Sequence, residues 1–127
     1  GRNWMYELKI EDAFAAAHKL REYQGQCESL HGHNWKVEVV VRADRLNAIG
    51  LAVDFKELKE ATTAVLDQLD HTYLNELPTF REQNPSSELL AKYIFEQVQD
   101  RVGREGLWVH RVTAWESDNA CASYLEG

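Results

Sequence analysis

Cysteine is scarce in this chain: Cys27 and Cys121 are the two among 127 residues, and they form no Cys-x-x-Cys pair. That usage argues for free thiols in a reducing compartment rather than a secreted disulfide scaffold. Long hydrophobic runs are also missing, and no apolar stretch approaches the roughly 20 residues of a membrane span. Nor does the opening Gly1-Arg2-Asn3-Trp4-Met5 have the charged-then-apolar layout of a signal peptide, so the expected compartment is the cytoplasm, with no membrane partner. Basic charge is outnumbered, with 14 Lys and Arg against 21 Asp and Glu for a formal charge of −7. The Lys and Arg are scattered among acids, which argues against a nucleic-acid-binding surface while leaving room for a local anion pocket. With no repeat, low-complexity tract or linker, residues 1–127 read as one domain, large enough to bury a core unaided.

What is present is patterned. Residues 6–16 alternate, with Tyr6, Leu8, Ile10, Phe14 and Ala16 on one face of a strand that Asp12 interrupts, so a bend or bulge is expected there. A polar loop over residues 18–30 carries Gly25 and Cys27, and residues 31–42 give the strongest strand signal, with Trp35, Val37, Val39 and Val41 on one face. A turn over 47–50 leads to a short third strand over 51–53. Asp54 then reads as a helix N-cap, with Glu57 completing a capping box. Phe55, Leu58, Thr62, Val65, Leu66 and Leu69 follow at helical spacing, up to Asp70 and His71. A second helix starts at Asn84-Pro85-Ser86-Ser87-Glu88, capped by Asn84 or Ser86, and closes at Gly103 and Gly106. Residues 107–116 alternate again, and a short strand over 121–125 ends the pattern. Strands flanking paired helices predict an α+β fold with a largely antiparallel sheet. Two helices cover only one face of that sheet, and several strands are apolar on both, so a homo-oligomer is expected.

Chemistry concentrates at His31-Gly32-His33. Residues i and i+2 of a strand point the same way, about 6.5–7 Å apart, and two such imidazoles can converge on one metal ion. If the first two strands form a hairpin, His18 returns beside His31 as a third nitrogen. Three neutral nitrogens with one open position make a catalytic rather than a structural zinc site. The plainer reading is that these are ordinary surface or hydrogen-bonding histidines. His110, mid-strand and without a partner in the sequence, reads as structural.

The run Cys27-Glu28-Ser29-Leu30-His31-Gly32-His33 resembles the Cys-x-x-x-His-Gly-His signature of the 6-pyruvoyltetrahydropterin and 6-carboxytetrahydropterin synthase family. Phe14-Ala15-Ala16-Ala17-His18, Val53-Asp54-Phe55, Leu58-Lys59, Leu69-Asp70-His71, Leu74-Asn75, Asn84-Pro85-Ser86-Ser87-Glu88 and Trp115-Glu116 resemble further blocks of that family in the same order. The family usually has threonine where Ser86 stands. Three residues between Cys27 and His31 resemble the bacterial queuosine-pathway branch; the animal pyruvoyl enzymes usually have a longer gap.

The resemblance implies a tunnelling fold (T-fold) of ββααββ order, assembled as trimers stacked into a hexamer with active sites at subunit boundaries. It implies one Zn2+ per subunit on His18, His31 and His33. The implied substrate is 7,8-dihydroneopterin triphosphate, converted to 6-carboxytetrahydropterin with loss of triphosphate and acetaldehyde. Cys27 is the candidate general base, since a metal or imidazolium nearby can lower a thiol's pKa from about 8.5. Asp70 and His71 are implied as a proton relay, although neighbours at a helix end do not face each other unless the backbone leaves the helix. Glu116, of one parity with Trp108, Val112 and Ala114, is implied to anchor the pterin. A buried carboxylate needs strong donors, and a pterin's amino group and ring N–H supply two side by side. Ser86 and Ser87 are candidates for pterin contact, with helix capping the plainer account. Lys19 and Arg21 are candidates for the triphosphate by proximity alone. A glutamate such as Glu28 near the cysteine marks relatives that release 6-hydroxymethyldihydropterin, so dual activity is one alternative. A pyruvoyl-forming enzyme is another, and a non-catalytic zinc- or pterin-binding oligomer is the reading from a different class.

Overall fold

The computed structural model describes residues 4–21 and 29–126; Gly25, Cys27 and Glu28 lie outside the described residues. Two long strands, β1 (Tyr6–His18) and β2 (His31–Ala43), pair antiparallel in unbroken register, from Tyr6 opposite Ala43 to His18 opposite His31. Opposite residues share a face and side chains alternate along each strand. One face therefore collects Ile10, Phe14, Ala16, Trp35, Val37, Val39 and Val41, all buried. Asp12 falls on that face without a bend or bulge. Its Oδ1 accepts from the Ala13 N–H at 2.7 Å and its Oδ2 from the Thr63 hydroxyl at 2.9 Å. Those two donors make an inward-facing carboxylate tolerable while the strand stays straight.

The short strand expected over 51–53 does not form. Asn47 Oδ1 accepts from the N–H groups of Ile49 and Leu51 at 3.0 Å, and Gly50 takes φ 84°. The chain is wound into an Asx-type turn and offers no ladder. The third strand of the chain is instead β3 (Thr72–Tyr73), parallel to Ala16 and Ala17 of β1. With β4 (Leu107–Ser117) and β5 (Ala120–Leu125), the sheet runs β3-β1-β2-β4-β5.

Two helices cover the inner face. α1 (Phe55–Asp67) is capped by Asp54, whose carboxylate accepts from Lys56 N–H at 2.9 Å, while Glu57 pairs with Arg104 at 2.7 Å. α2 (Ser87–Val102) is capped by Ser86, whose hydroxyl accepts from Leu89 N–H at 3.2 Å, which decides between the two expected caps. Leu58, Val65 and Leu66 of α1 and Leu90, Ile94 and Val98 of α2 are buried in one cluster with the sheet. Each such side chain contributes about 1.5–3 kcal/mol on full burial. That layer, more than helix propensity, holds the helices in place. The result is α+β, a five-stranded, mostly antiparallel sheet with both helices on one side. Among the described residues no helix is long and apolar enough to cross a membrane.

β4 departs from simple alternation. Opposite β2 its register slips: Val109 faces Val41 and Arg111 faces Val40, leaving His110 as the extra residue of a bulge. Leu107 and Val109 are thus buried before the bulge, and Val112 and Ala114 after it. Trp108, grouped by simple parity with Val112, Ala114 and Glu116, instead pairs with Arg42 on the opposite face. Gln99 Oε1, from α2, accepts the Val109 N–H at 2.8 Å beside the bulge.

Candidate active site

The inner face runs out at the end where β1 stops and β2 begins, and there its apolar side chains give way to imidazoles. His18, the last residue of β1, is 3% exposed, and His31 lies directly opposite it. His33 follows on the same face of β2. The rings of His18 and His33 lie 5.0 Å apart, edge to face, and both meet the fully buried Trp35 ring edge-on at 5.2 and 5.5 Å. Trp35 is therefore the floor beneath both rings.

Glu116 reaches this cluster on the inner face of β4, in step with Val112 and Ala114, and stands at a second bulge toward β5. Trp115 pairs with Cys121 and Ser117 with Ala120, so Glu116 has no partner on β5. Its Oε1 lies 3.1 Å from His18 Nε2 and 3.2 Å from His33 Nε2. His18, His33 and Glu116 each place a donor atom within 4.8 Å of the other two.

The ring of His18 is turned by its other nitrogen. Nδ1 lies 2.8 Å from the carbonyl oxygen of Pro85, a pure acceptor, so Nδ1 carries the hydrogen in that contact. In the neutral ring Nε2 then holds the lone pair, and it faces a carboxylate oxygen. Two acceptors at this separation need a proton or a cation between them. The donor set, imidazole nitrogens and a carboxylate oxygen, suits a divalent transition ion such as zinc. His31, the other expected ligand, is exposed; its ring is nearly parallel to that of His33 at 5.9 Å, and it stands at the rim of the group rather than within it. The structure thus brings His18 and His33 together with Glu116, which the sequence reading had assigned to substrate. The signal for this was the parity of Val112, Ala114 and Glu116, which aims the carboxylate inward.

Asp70 and His71 form a pair by leaving the helix. His71 takes φ 58°, the left-handed region, and its N–H donates to the Ala15 carbonyl. That turn sets His71 Nδ1 3.0 Å from Asp70 Oδ2, while Asp70 Oδ1 accepts from Ala15 N–H at 2.9 Å. The Ala15 N–H holds the Asp70 carboxyl below its ordinary range, and His71 adds to this against partial burial. The carboxylate thereby fixes the ring's Nδ1–H and leaves Nε2 outward, on a side chain 82% exposed. The pair sits on β1 on the flank away from β2, since β1 lies between β3 and β2.

Other expected residues divide. The Ser86 hydroxyl is committed to the helix cap, and Ser87 next to it is half-buried. Arg21, considered for the triphosphate, donates instead to the carbonyls of Gln83, Asn75 and Phe80 at 3.1, 3.1 and 2.7 Å. A guanidinium so engaged is an internal brace. His110 occupies the β4 bulge, where burial, then the Arg42 charge, pushes its pKa down, as suits a structural imidazole. Cys27 and Glu28 fall outside the described residues.

Residues 7–127 match the family model described as 6-pyruvoyl tetrahydropterin synthase. A 6-carboxy-5,6,7,8-tetrahydropterin synthase from Synechocystis sp. is 35% identical, over 95% of this chain and 94% of its own. The Bacillus subtilis protein of the same name is 35% identical, over 76% of this chain and 67% of its own. Among solved structures, 6-pyruvoyl tetrahydropterin synthase of Caenorhabditis elegans superposes with a TM-score of 0.83 at 24% identity, covering 100% of this chain and 99% of that one. This last likeness concerns the fold.

Proposed function

Because the chain belongs to the 6-pyruvoyl tetrahydropterin synthase family, we propose that it is a lyase forming 6-carboxy-5,6,7,8-tetrahydropterin from 7,8-dihydroneopterin triphosphate, for queuosine-type 7-deazapurine synthesis. Triphosphate and acetaldehyde leave in the reaction. The observation that carries this reading is the convergence of His18, His33 and Glu116 on one point at the open end of the sheet, together with relatives bearing the carboxy-synthase name.

His18, His31 and His33 would hold zinc, with His31 turning in from the rim opposite His18. When bound, zinc supplies Lewis acidity to the oxygens of the substrate side chain, making the neighbouring carbons easier to deprotonate. Glu116 accepts from the pterin's amino group and ring N–H, one donor per oxygen, and so sets which carbon faces the base. Cys27, four positions before His31, takes the proton as thiolate. Asp70 holds His71 with Nε2 outward to exchange protons with the reacting group or with Cys27. Ser87, with the backbone at Ser86, borders the pterin beside the α2 start.

The subunit works as a homo-oligomer, a trimer or a dimer of trimers, closing the sheet face that the helices leave bare. Val40 on that face is 2% exposed, yet Trp108 and Trp115 are only half-buried. Among the described residues, Arg42 Nε, Arg111 Nε and Trp115 Nε1 are buried without a hydrogen-bond partner. A neighbouring subunit would supply acceptors for them.

The test is incubation with 7,8-dihydroneopterin triphosphate and identification of the products by mass. The carboxy compound with acetaldehyde is the expected result. A pyruvoyl or hydroxymethyl pterin without it overturns the assignment. Cys27→Ala with zinc bound is expected to lose turnover; full turnover would remove Cys27 as the base.

A further inference from the structure

We propose that Asn84, seconded by Asn75, is a positioning residue that fixes the ring of His18 for metal binding; the inference rests on the metal reading above. The observation is a pair of side-chain clamps on the two alternate residues just beyond the end of β1. Asn75 Oδ1 accepts from Lys19 N–H and its Nδ2 donates to the Lys19 carbonyl, both at 2.9 Å. Asn84 Oδ1 accepts from Arg21 N–H at 2.8 Å and its Nδ2 donates to the Arg21 carbonyl at 2.9 Å.

A carboxamide offers the same donor and acceptor as a peptide group. The two asparagines therefore act as detached rungs of a ladder, continuing past His18 the flank of β1 on which Ala15 bonds Asp70 and His71 and β3 pairs. The Arg21 guanidinium closes the far side on the carbonyls of Asn75, Phe80 and Gln83.

The consequence for His18 follows from chain connectivity. Asn84 immediately precedes Pro85, whose carbonyl receives His18 Nδ1–H at 2.8 Å. The Asn84 clamp thus ties the segment carrying the acceptor to the segment leaving the ligand. Proline has fixed φ, which limits how far its carbonyl can swing. Loss of the clamp lets that carbonyl drift, and the neutral ring is then free to move its hydrogen to Nε2, the nitrogen facing His33 and Glu116. Outer partners of metal-binding histidines fix both tautomer and ring orientation, and removing one costs about 10- to 100-fold in metal affinity.

The experiment compares wild type, Asn84→Ala, Asn75→Ala and Val98→Ala. Val98 is a fully buried α2 residue whose truncation destabilises the core at a distance from the clamp. Zinc affinity is read by competition with a chromophoric chelator. The His18 tautomer is read in zinc-free protein from imidazole nitrogen–proton correlation spectra. Asn84→Ala is expected to weaken zinc by about 10- to 100-fold and to mix the tautomers, with Asn75→Ala changing both in the same direction. Val98→Ala is expected to lower the melting temperature with zinc affinity and tautomer held. Folded Asn84→Ala that binds zinc as wild type does, with Nδ1 still protonated, overturns the proposal. So does an equal loss in Val98→Ala. Wild type without zinc uptake would sink the metal reading, and the tautomer spectra would still decide whether Asn84 fixes the ring.

Discussion

Glu116 is where two readings of the site diverge, and a single isosteric change separates them. Its Oε1 is within 3.2 Å of both imidazole Nε2 atoms, so geometry alone admits it as a metal ligand. The proposed function makes it the pterin anchor instead, with His31 as the third nitrogen. Glu116→Gln keeps the shape and one acceptor but turns an NH2 toward a pterin donor. Each charge-assisted hydrogen bond contributes about 1.5–3 kcal/mol. One such bond lost and one donor left facing a donor amounts to at least about 3 kcal/mol, or roughly a hundredfold in kcat/KM. Zinc affinity of this variant, by chelator competition, is expected to stay within about threefold of wild type because no ligand has gone. His31→Ala should do the reverse to zinc, with a loss beyond the roughly 100-fold upper figure for an outer partner. Should Glu116→Gln lose zinc by that margin while His31→Ala retains it, the third ligand is the carboxylate and the reasoning fails.

Two further outcomes follow from single contacts. Asp70 has its pKa depressed in the folded chain, chiefly by the Ala15 N–H. Its stabilisation is present above the unfolded value near about 3.9 and is lost as pH falls through the lower folded value. The urea midpoint gap between wild type and Asp70→Asn should therefore narrow as pH falls from about 5 to 3; a gap unchanged over that range contradicts this. Gln99→Leu leaves the Val109 amide without its acceptor and should cost about 1–3 kcal/mol in chemical unfolding, whereas a loss under a few tenths would mean that the bulge needs no such support.

Much of this site was legible in the sequence because strand geometry is periodic. Alternation put His31 and His33 on the face of Trp35, and a hairpin returned His18 beside them, as the observed register has it. The Asp54 cap was readable for the same kind of reason, since a local signal needs no tertiary partner. Where the structure differs, the cause is a contact that alternation does not encode. Asp12 is held in a straight strand with the Thr63 hydroxyl of α1 donating to it, a partner 51 residues away. The segment 51–53 has strand-like composition, but Asn47, four residues before Leu51, winds it into a turn. The β3 pairing of Thr72 and Tyr73 is two residues long, too short to carry any period.

The β4 bulge is the most consequential of these departures, because it decides which way Glu116 points. A strand without an extra residue keeps one parity throughout, and a slip of one residue sends every later side chain to the other face. Leu107 and Val109 are buried on odd positions, so unbroken alternation would carry Glu116 to the outer face, away from His18 and His33. The insertion of His110 changes the phase, and Val112, Ala114 and Glu116 then share the inner side with the imidazoles. The polar end of the site is therefore fixed by an irregularity at His110, six residues before Glu116, beside which Gln99 of α2 holds the Val109 amide. That hydrogen bond joins α2 to the bulge, beside the apolar packing of Leu90, Ile94 and Val98 with the strand. A substitution at position 99 should then disturb the carboxylate's approach to His18, read as a loss in kcat/KM, while leaving the register of β1 with β2 intact, since the Gln99 side chain bonds β4 and the thirteen residue pairs of that hairpin run unbroken.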